Sequence, residues 1–142
     1  MGHIYAEKTN HVTNPIGFYM DQIVFSWKVK ECAGKEQKNA RILVSTEEDF
    51  SKIVWDTEEK NLDNCGTKAE IQTEPYTRYY WKVIVTTELN EVMESEIQFF
   101  ETAKMDDKWI AKWISSEEEQ ERHPVFTKQI SPKQTVERAR LY

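Results

Sequence analysis

Four stretches of the chain alternate apolar and polar side chains with period two, the pattern of a strand that buries one face and wets the other. Phe25, Trp27 and Val29 alternate with Ser26 and Lys28, and Ala40, Ile42 and Val44 alternate with Arg41, Leu43 and Ser45. Tyr79, Trp81, Val83 and Val85 share one side of a longer segment whose other side carries Tyr80, Lys82, Ile84 and Thr86. Ile97 and Phe99 repeat the alternation and are expected to face inward. Three weaker segments join these four: Ile53 to Trp55, Thr67 to Gln72, and Val12 to Phe18. The last contains Pro15, which has no N–H to donate, so it reads as an edge strand. Polar, turn-forming pieces separate the segments at Glu31 to Gln37, Asn61 to Gly66 and Glu88 to Glu91. Thr46 to Phe50, a hydroxyl followed by acids, predicts one helical turn. Seven short strands within about 100 residues predict an all-β fold, a seven-stranded antiparallel β-sandwich.

The pattern changes after Phe100. Lys104 to Lys108 is charged, Trp109 and Trp113 bracket a short apolar piece, and Glu117 to Arg122 is a run of solvated charge. Strand-like residues resume at Val125 to Ile130, a turn follows at Ser131-Pro132, and Arg138 to Tyr142 begins another extended piece. The expected organisation is a sandwich over residues 1–104, a linker over 105–123, and the truncated first strands of a second β domain over 124–142. A strand without neighbours exposes unpaired backbone groups, so the last piece is expected to continue into further chain.

Glu74-Pro75-Tyr76-Thr77-Arg78-Tyr79-Tyr80-Trp81-Lys82-Val83 is the most specific stretch. It resembles the approach to the sixth strand of fibronectin type III and immunoglobulin-like modules. There a tyrosine, here Tyr79, turns its hydroxyl back to the preceding loop, because a buried ring must have its hydroxyl satisfied. Trp27 is then a large residue between the sheets, and Trp27, Tyr79 and Trp81 are the expected structural core. Asn14-Pro15-Ile16-Gly17, Phe25-Ser26-Trp27, Trp55-Asp56, Phe99-Phe100-Glu101-Thr102-Ala103, Trp109-Ile110-Ala111-Lys112-Trp113-Ile114, Phe126 and Ala139-Arg140-Leu141-Tyr142 follow in an order that resembles the N-terminal region of bacterial α-L-rhamnosidases of glycoside hydrolase family 78. The pattern departs at Thr57-Glu58, where Ser-Gly is expected, and at Thr87-Glu88-Leu89-Asn90, where a glycine turn is expected. The resemblance implies an accessory β domain of an inverting hydrolase whose (α/α)₆ catalytic barrel lies beyond this chain, with the remaining domains of the polypeptide as partners.

Inversion needs two carboxyl groups about 6.5 to 9.5 Å apart, one of them kept protonated. On the resemblance both lie in the barrel, so no catalytic residue is assigned here. The acidic run Glu117, Glu118, Glu119 and Glu121 has nothing to raise a pKa and reads as solvated charge. Tyr76, Tyr80, Trp109 and Trp113 are the candidate contacts, either a carbohydrate platform for rhamnose-containing glycans or glycosides, or glue between domains; the second is favoured, since aromatic residues beside a linker commonly pack against neighbours. The alternative to an accessory domain is a free-standing carbohydrate- or protein-binding module that works through an exposed strand edge, which would also serve oligomer formation.

Over 142 residues the net charge is -6, with no basic run to offset it, which disfavours nucleic acid and anionic membranes as partners. No apolar stretch has the roughly 20 residues needed to cross a bilayer, and the N-terminus lacks a signal-peptide pattern. Cytoplasm, periplasm and export all stay open. His3, His11 and His123 are scattered, and Cys32 and Cys65 read as two free thiols, so neither a metal nor another cofactor is expected.

Overall fold

The computed structural model describes residues 2–117, 123–136 and 139–140. Most of the acidic run, from Glu118 to Arg122, and the residues Arg138, Leu141 and Tyr142 lie outside the described residues. Among the described residues nine strands follow one another: β1 (His3–Thr9), β2 (Ile16–Phe18), β3 (Ile23–Lys30), β4 (Gln37–Ser45), β5 (Ile53–Asp56), β6 (Thr67–Ala69), β7 (Arg78–Thr87), β8 (Val92–Glu94) and β9 (Gln98–Thr102). They form a three-stranded sheet, β1-β3-β6, and a six-stranded sheet, β2-β9-β7-β4-β5, in which β8 also pairs with β7. All pairing is antiparallel except β2 with β9, which is parallel.

Seven of these strands are the seven read from the pattern; β1 and β8 are additional. β4 covers one edge of β7 from Tyr80 to Thr87, and β9 and β8 divide the other. Ser95 bridges the gap between them: its N–H donates to the Val83 carbonyl at 2.9 Å, and its hydroxyl accepts the Val83 N–H at 3.0 Å. The chain crosses from one sheet to the other between β1 and β2. Asn10 makes that switch possible, since its Oδ1 accepts the Val24 N–H and its Nδ2 donates to the Gln22 carbonyl, both at 2.8 Å. Asn10, His11 and Asn14 all take positive φ there, a region that asparagine tolerates better than most residues.

Alternation places Ile23, Phe25 and Trp27 of β3 against Tyr79, Trp81, Val83 and Val85 of β7, all buried. Phe25 is the centre of the aromatic packing, with ring centroids 4.4 Å from Trp81, 6.1 Å from Phe100 and 6.2 Å from Trp55. The Trp27 indole N–H donates to Gln37 Oε1 at 3.0 Å, and Gln37 in turn donates to the Leu62 carbonyl. Trp81 Nε1 is buried with no hydrogen-bond partner among the described residues. Burial of each such ring stabilises the fold by roughly 2 to 3 kcal/mol.

Two local expectations are corrected. On β9 it is Phe100 that is fully buried, while Ile97 is exposed and Phe99 lies on the outer face. The Tyr79↔Phe100 register decides this, because Tyr79 points inward and a directly paired residue must share its side. Thr46 to Phe50 forms a tight turn and not a helical one. The Phe50 N–H donates to the Glu47 carbonyl, Ser45 Oγ accepts the Glu47 N–H, and Phe50 takes φ 58°. Cys32 and Cys65 are free thiols.

The compact part of the chain runs to Asp106, because Met105 packs against the core; residues 107–142 form a separate unit. No strand occurs after Thr102 among the described residues, and Val125 to Ile130, expected to be strand, is exposed and irregular. No helix among the described residues is long and apolar enough to cross a membrane.

Candidate functional site

The outer face of the six-stranded sheet is built by the polar half of the β7 alternation. Arg78, Tyr80, Lys82, Ile84 and Thr86 project from it, all half-buried. Three cation–carboxylate pairs lie among these residues and the neighbouring strands. Arg78 Nε meets Glu101 Oε2 at 2.9 Å across the β7–β9 pairing, Lys82 Nζ meets Glu94 Oε1 at 2.7 Å across β7–β8, and Arg41 meets Asp56 with two bonds of 2.9 and 2.6 Å across β4–β5. Aromatic rings back two of the cations: Arg78 lies 4.2 Å from the Phe99 centroid and Lys82 lies 4.7 Å from that of Phe50. Glu101 is only 2% exposed, so the Arg78 guanidinium stands beside a carboxyl group that is almost wholly removed from water.

At one end of the sandwich, two carboxylates clamp four consecutive backbone amides. Glu91 accepts the N–H groups of Ala33 at 3.2 Å and Gly34 at 2.7 Å; Glu88 accepts those of Lys35 at 2.7 Å and Glu36 at 2.9 Å. These bonds hold both carboxyl groups below the usual glutamate range. Gly34 is required by close approach, since a Cβ there would stand 2.5 Å from Thr87 Cβ. Asn90, at φ 61°, supplies the left-handed turn residue in place of the expected glycine.

The corner before β7 is closed by Tyr79, whose hydroxyl accepts the Glu74 N–H at 2.8 Å. Burial pushes the Tyr79 hydroxyl above its ordinary pKa, and the Glu74 N–H partly counters it. Thr102 completes the corner by donating to the Glu74 carbonyl at 2.7 Å and accepting the Thr77 N–H at 3.0 Å.

Of the four candidate contact residues, Tyr76 and Tyr80 belong to the unit that ends at Asp106, and Trp109 and Trp113 to the unit after it. Tyr76, at φ 55°, is exposed beside the corner, and Tyr80 is half-buried on the outer sheet face. Trp109 and Trp113 are exposed in the unit after Asp106. Trp27, Tyr79 and Trp81 are buried in the interior. The charge pairs and the double-glutamate clamp are absent from the sequence-level expectation because each joins residues distant in sequence. The one available signal is Glu101 itself, an acid inside the apolar run Phe99-Phe100-Glu101-Thr102.

The carboxyl groups with shifted pKa values do not suit the role of a general acid. Asp49, Asp56, Glu88 and Glu91 are all displaced downward, by Ser51, by Arg41 and by backbone amides, whereas a general acid must be displaced upward. No group of three or more His, Cys, Asp or Glu side chains is placed to hold a metal among the described residues.

The sequence from residue 4 to residue 106 matches the family described as "Rha78A-like, N-terminal immunoglobulin domain". The chain belongs to that family. The matched segment ends where the compact unit ends, so the Rha78A-like immunoglobulin domain accounts for all nine strands and the exit at Met105-Asp106. An α-L-rhamnosidase of Formosa agariphila is 33% identical over 116 residues, a region equal to 75% of this chain and 12% of that protein. The structure of α-L-rhamnosidase from Dictyoglumus thermophilum superposes with a TM-score of 0.73 at 29% identity, over 82% of this chain and 14% of that one. That of Streptomyces avermitilis α-L-rhamnosidase complexed with L-rhamnose also gives 0.73, at 24% identity, over 82% and 12%; at that identity the likeness is one of fold. The chain thus corresponds to about an eighth of the length of these relatives.

Proposed function

We propose that this immunoglobulin-like domain is a non-catalytic accessory part of an α-L-rhamnosidase, the parent enzyme releasing terminal α-L-rhamnosyl residues by inversion at a site outside this chain. The family match over residues 4–106 carries the proposal. The downward-shifted carboxyl groups agree with it, since the domain spends its acids on ion pairs and amide clamps that hold its own shape. Residues 105–123 then serve as a linker and residues 124–142 as the opening of a second β domain. On this view exposed Trp109 and Trp113, with Tyr76 and Tyr80, are covered by other domains of the same polypeptide, because isolated indole rings in water are unfavourable by the area rule.

The test is hydrolysis of an aryl α-L-rhamnoside by this chain, by a longer polypeptide that continues into the rest of the gene, and by that polypeptide lacking residues 1–106. Activity in the longer polypeptide alone, with reduced thermal stability when 1–106 is removed, is the expected result. Turnover by the 142-residue chain itself would overturn it.

A further inference from the structure

The outer face of the three-stranded sheet carries a groove of about 360 Å³, lined by Ala6, Lys8, His11, Ser26 and Lys28, with Trp27, Asn64 and Cys65 completing its wall. Its shape follows from an irregularity in β1. Pairing with β3 is regular from His3↔Lys30 to Tyr5↔Lys28 and resumes at Lys8↔Ser26, so a residue is inserted between Tyr5 and Lys8. Ala6 takes φ 54° in this bulge, a conformation that is costly for alanine. The opposite wall is held in place by the Trp27 N–H donating to the Asn64 carbonyl at 3.0 Å.

The groove differs in its charge from the outer face of the six-stranded sheet. On the six-stranded sheet Arg41, Arg78 and Lys82 each have a carboxylate within 3 Å. Around the groove Lys8 and Lys28 are exposed, and neither forms an ion pair or hydrogen bond among the described residues. Two uncompensated ammonium groups beside an imidazole, a serine hydroxyl and an asparagine are a donor-rich concavity in a chain whose net charge is -6. A long polyanion would be repelled by the net negative charge of the chain. A single anionic group would not. The volume lies in the range of small-ligand clefts and accommodates one sugar ring.

We propose that this groove binds an oxyanion, a carboxylate or sulfate, carried on a ligand of single-sugar size, with Lys8 and Lys28 as its cationic contacts and Ser26 and Asn64 as neutral donors. The proposal stands on this domain alone and does not require the accessory-domain assignment to hold.

The test is a titration of the ¹⁵N-labelled 142-residue chain with galacturonate, glucose 6-sulfate, inorganic sulfate and neutral glucose, following the backbone amide resonances. Saturable shifts centred on Ser26, Asn64 and Cys65 are expected with the two charged sugars, and weaker binding with inorganic sulfate. Charge-assisted hydrogen bonds of this kind make the double variant Lys8→Ala, Lys28→Ala bind at least about tenfold more weakly. The control variant Lys52→Ala, Lys60→Ala removes the same charge elsewhere and should bind as the parent does. Because all four lysines are exposed, melting temperatures should stay unchanged and separate lost binding from lost folding. The site is overturned if no resonance saturates, if glucose shifts the same amides equally, or if the Lys8, Lys28 variant keeps its affinity. Inorganic sulfate binding as tightly as the charged sugars would overturn the single-sugar size.

Discussion

Arg78 and Glu101 are the pair in which a single side chain matters most. With Glu101 2% exposed, Arg78→Met leaves a buried carboxylate without its guanidinium, at a cost of about 3 to 5 kcal/mol. Urea denaturation should show that loss, and the double change Arg78→Met, Glu101→Leu should recover most of it, since an apolar pair has no charge to desolvate. A double variant no more stable than Arg78→Met alone would place the stabilisation elsewhere. Tyr79→Phe keeps the ring stacked 5.0 Å from Phe100 but removes the acceptor of the Glu74 N–H. The expected loss is about 1 to 3 kcal/mol, that of one partly buried donor left unmet, again read from the denaturation midpoint.

Between elements, the double-glutamate clamp gives the fold a defined response to acid. Glu88 and Glu91 are depressed below the ordinary value of 4.5 by amides of the loop before β4. In the unfolded chain they take up protons at higher pH than in the folded one, so the unfolded state binds more protons and stability falls as pH falls. The contribution is complete above the ordinary glutamate value and disappears as pH drops through the lower folded values. Glu88→Gln with Glu91→Gln should therefore lower the melting temperature at pH 7 and flatten its decline between about pH 5 and pH 3. An unchanged slope would assign the acid response to Asp49 and Asp56, which are depressed in the same direction. β3 and β7 were the most legible strands because each keeps period two over its buried face, whereas β2 and β5 bury no residue and were read from apolar residues between turn-forming pieces. β1 was not, since the bulge at Ala6 breaks the alternation between Ile4 and Thr9, its two buried ends. β8 contributes one buried residue, Met93, which is too little for a pattern. The Phe99-Phe100 doublet fits either facing of β9, and the one read from the alternation, with Ile97 and Phe99 inward, is the wrong one; the pairing with Tyr79 turns Phe100 inward. The site was less legible than the fold: the outer-face pairs and the groove each join residues from separate strands, and local periodicity carries no information about which polar residues meet.

For the molecule as a whole, the exit from the sandwich is fastened. The Ala103 N–H donates to the Phe18 carbonyl at 3.0 Å, the Met20 N–H reaches Met105 Sδ at 3.4 Å, and the Tyr19 hydroxyl donates to Asp106 Oδ1 at 2.9 Å. Limited trypsin digestion should cut after Lys108 and Lys112 and spare Lys104, leaving a folded core ending near residue 106. Tyr19→Phe should speed cleavage after Lys104 several-fold, as read by mass spectrometry; equal rates would show that Met105 packing alone holds the exit. The parallel pairing of β2 with β9 bears on a different property. The Glu101 N–H donates to the Pro15 carbonyl at 2.8 Å and the Phe99 N–H to Asn14 Oδ1 at 2.9 Å, so the strand that opens this sheet lies alongside the strand that closes it. Tension applied along the polypeptide would draw β2 toward its start and β9 toward its finish, in opposite senses along one ladder. Those bonds would then be loaded together in shear, where an antiparallel pair pulled from its open end would yield one bond at a time, and the domain would resist stretching more than its thermal stability suggests.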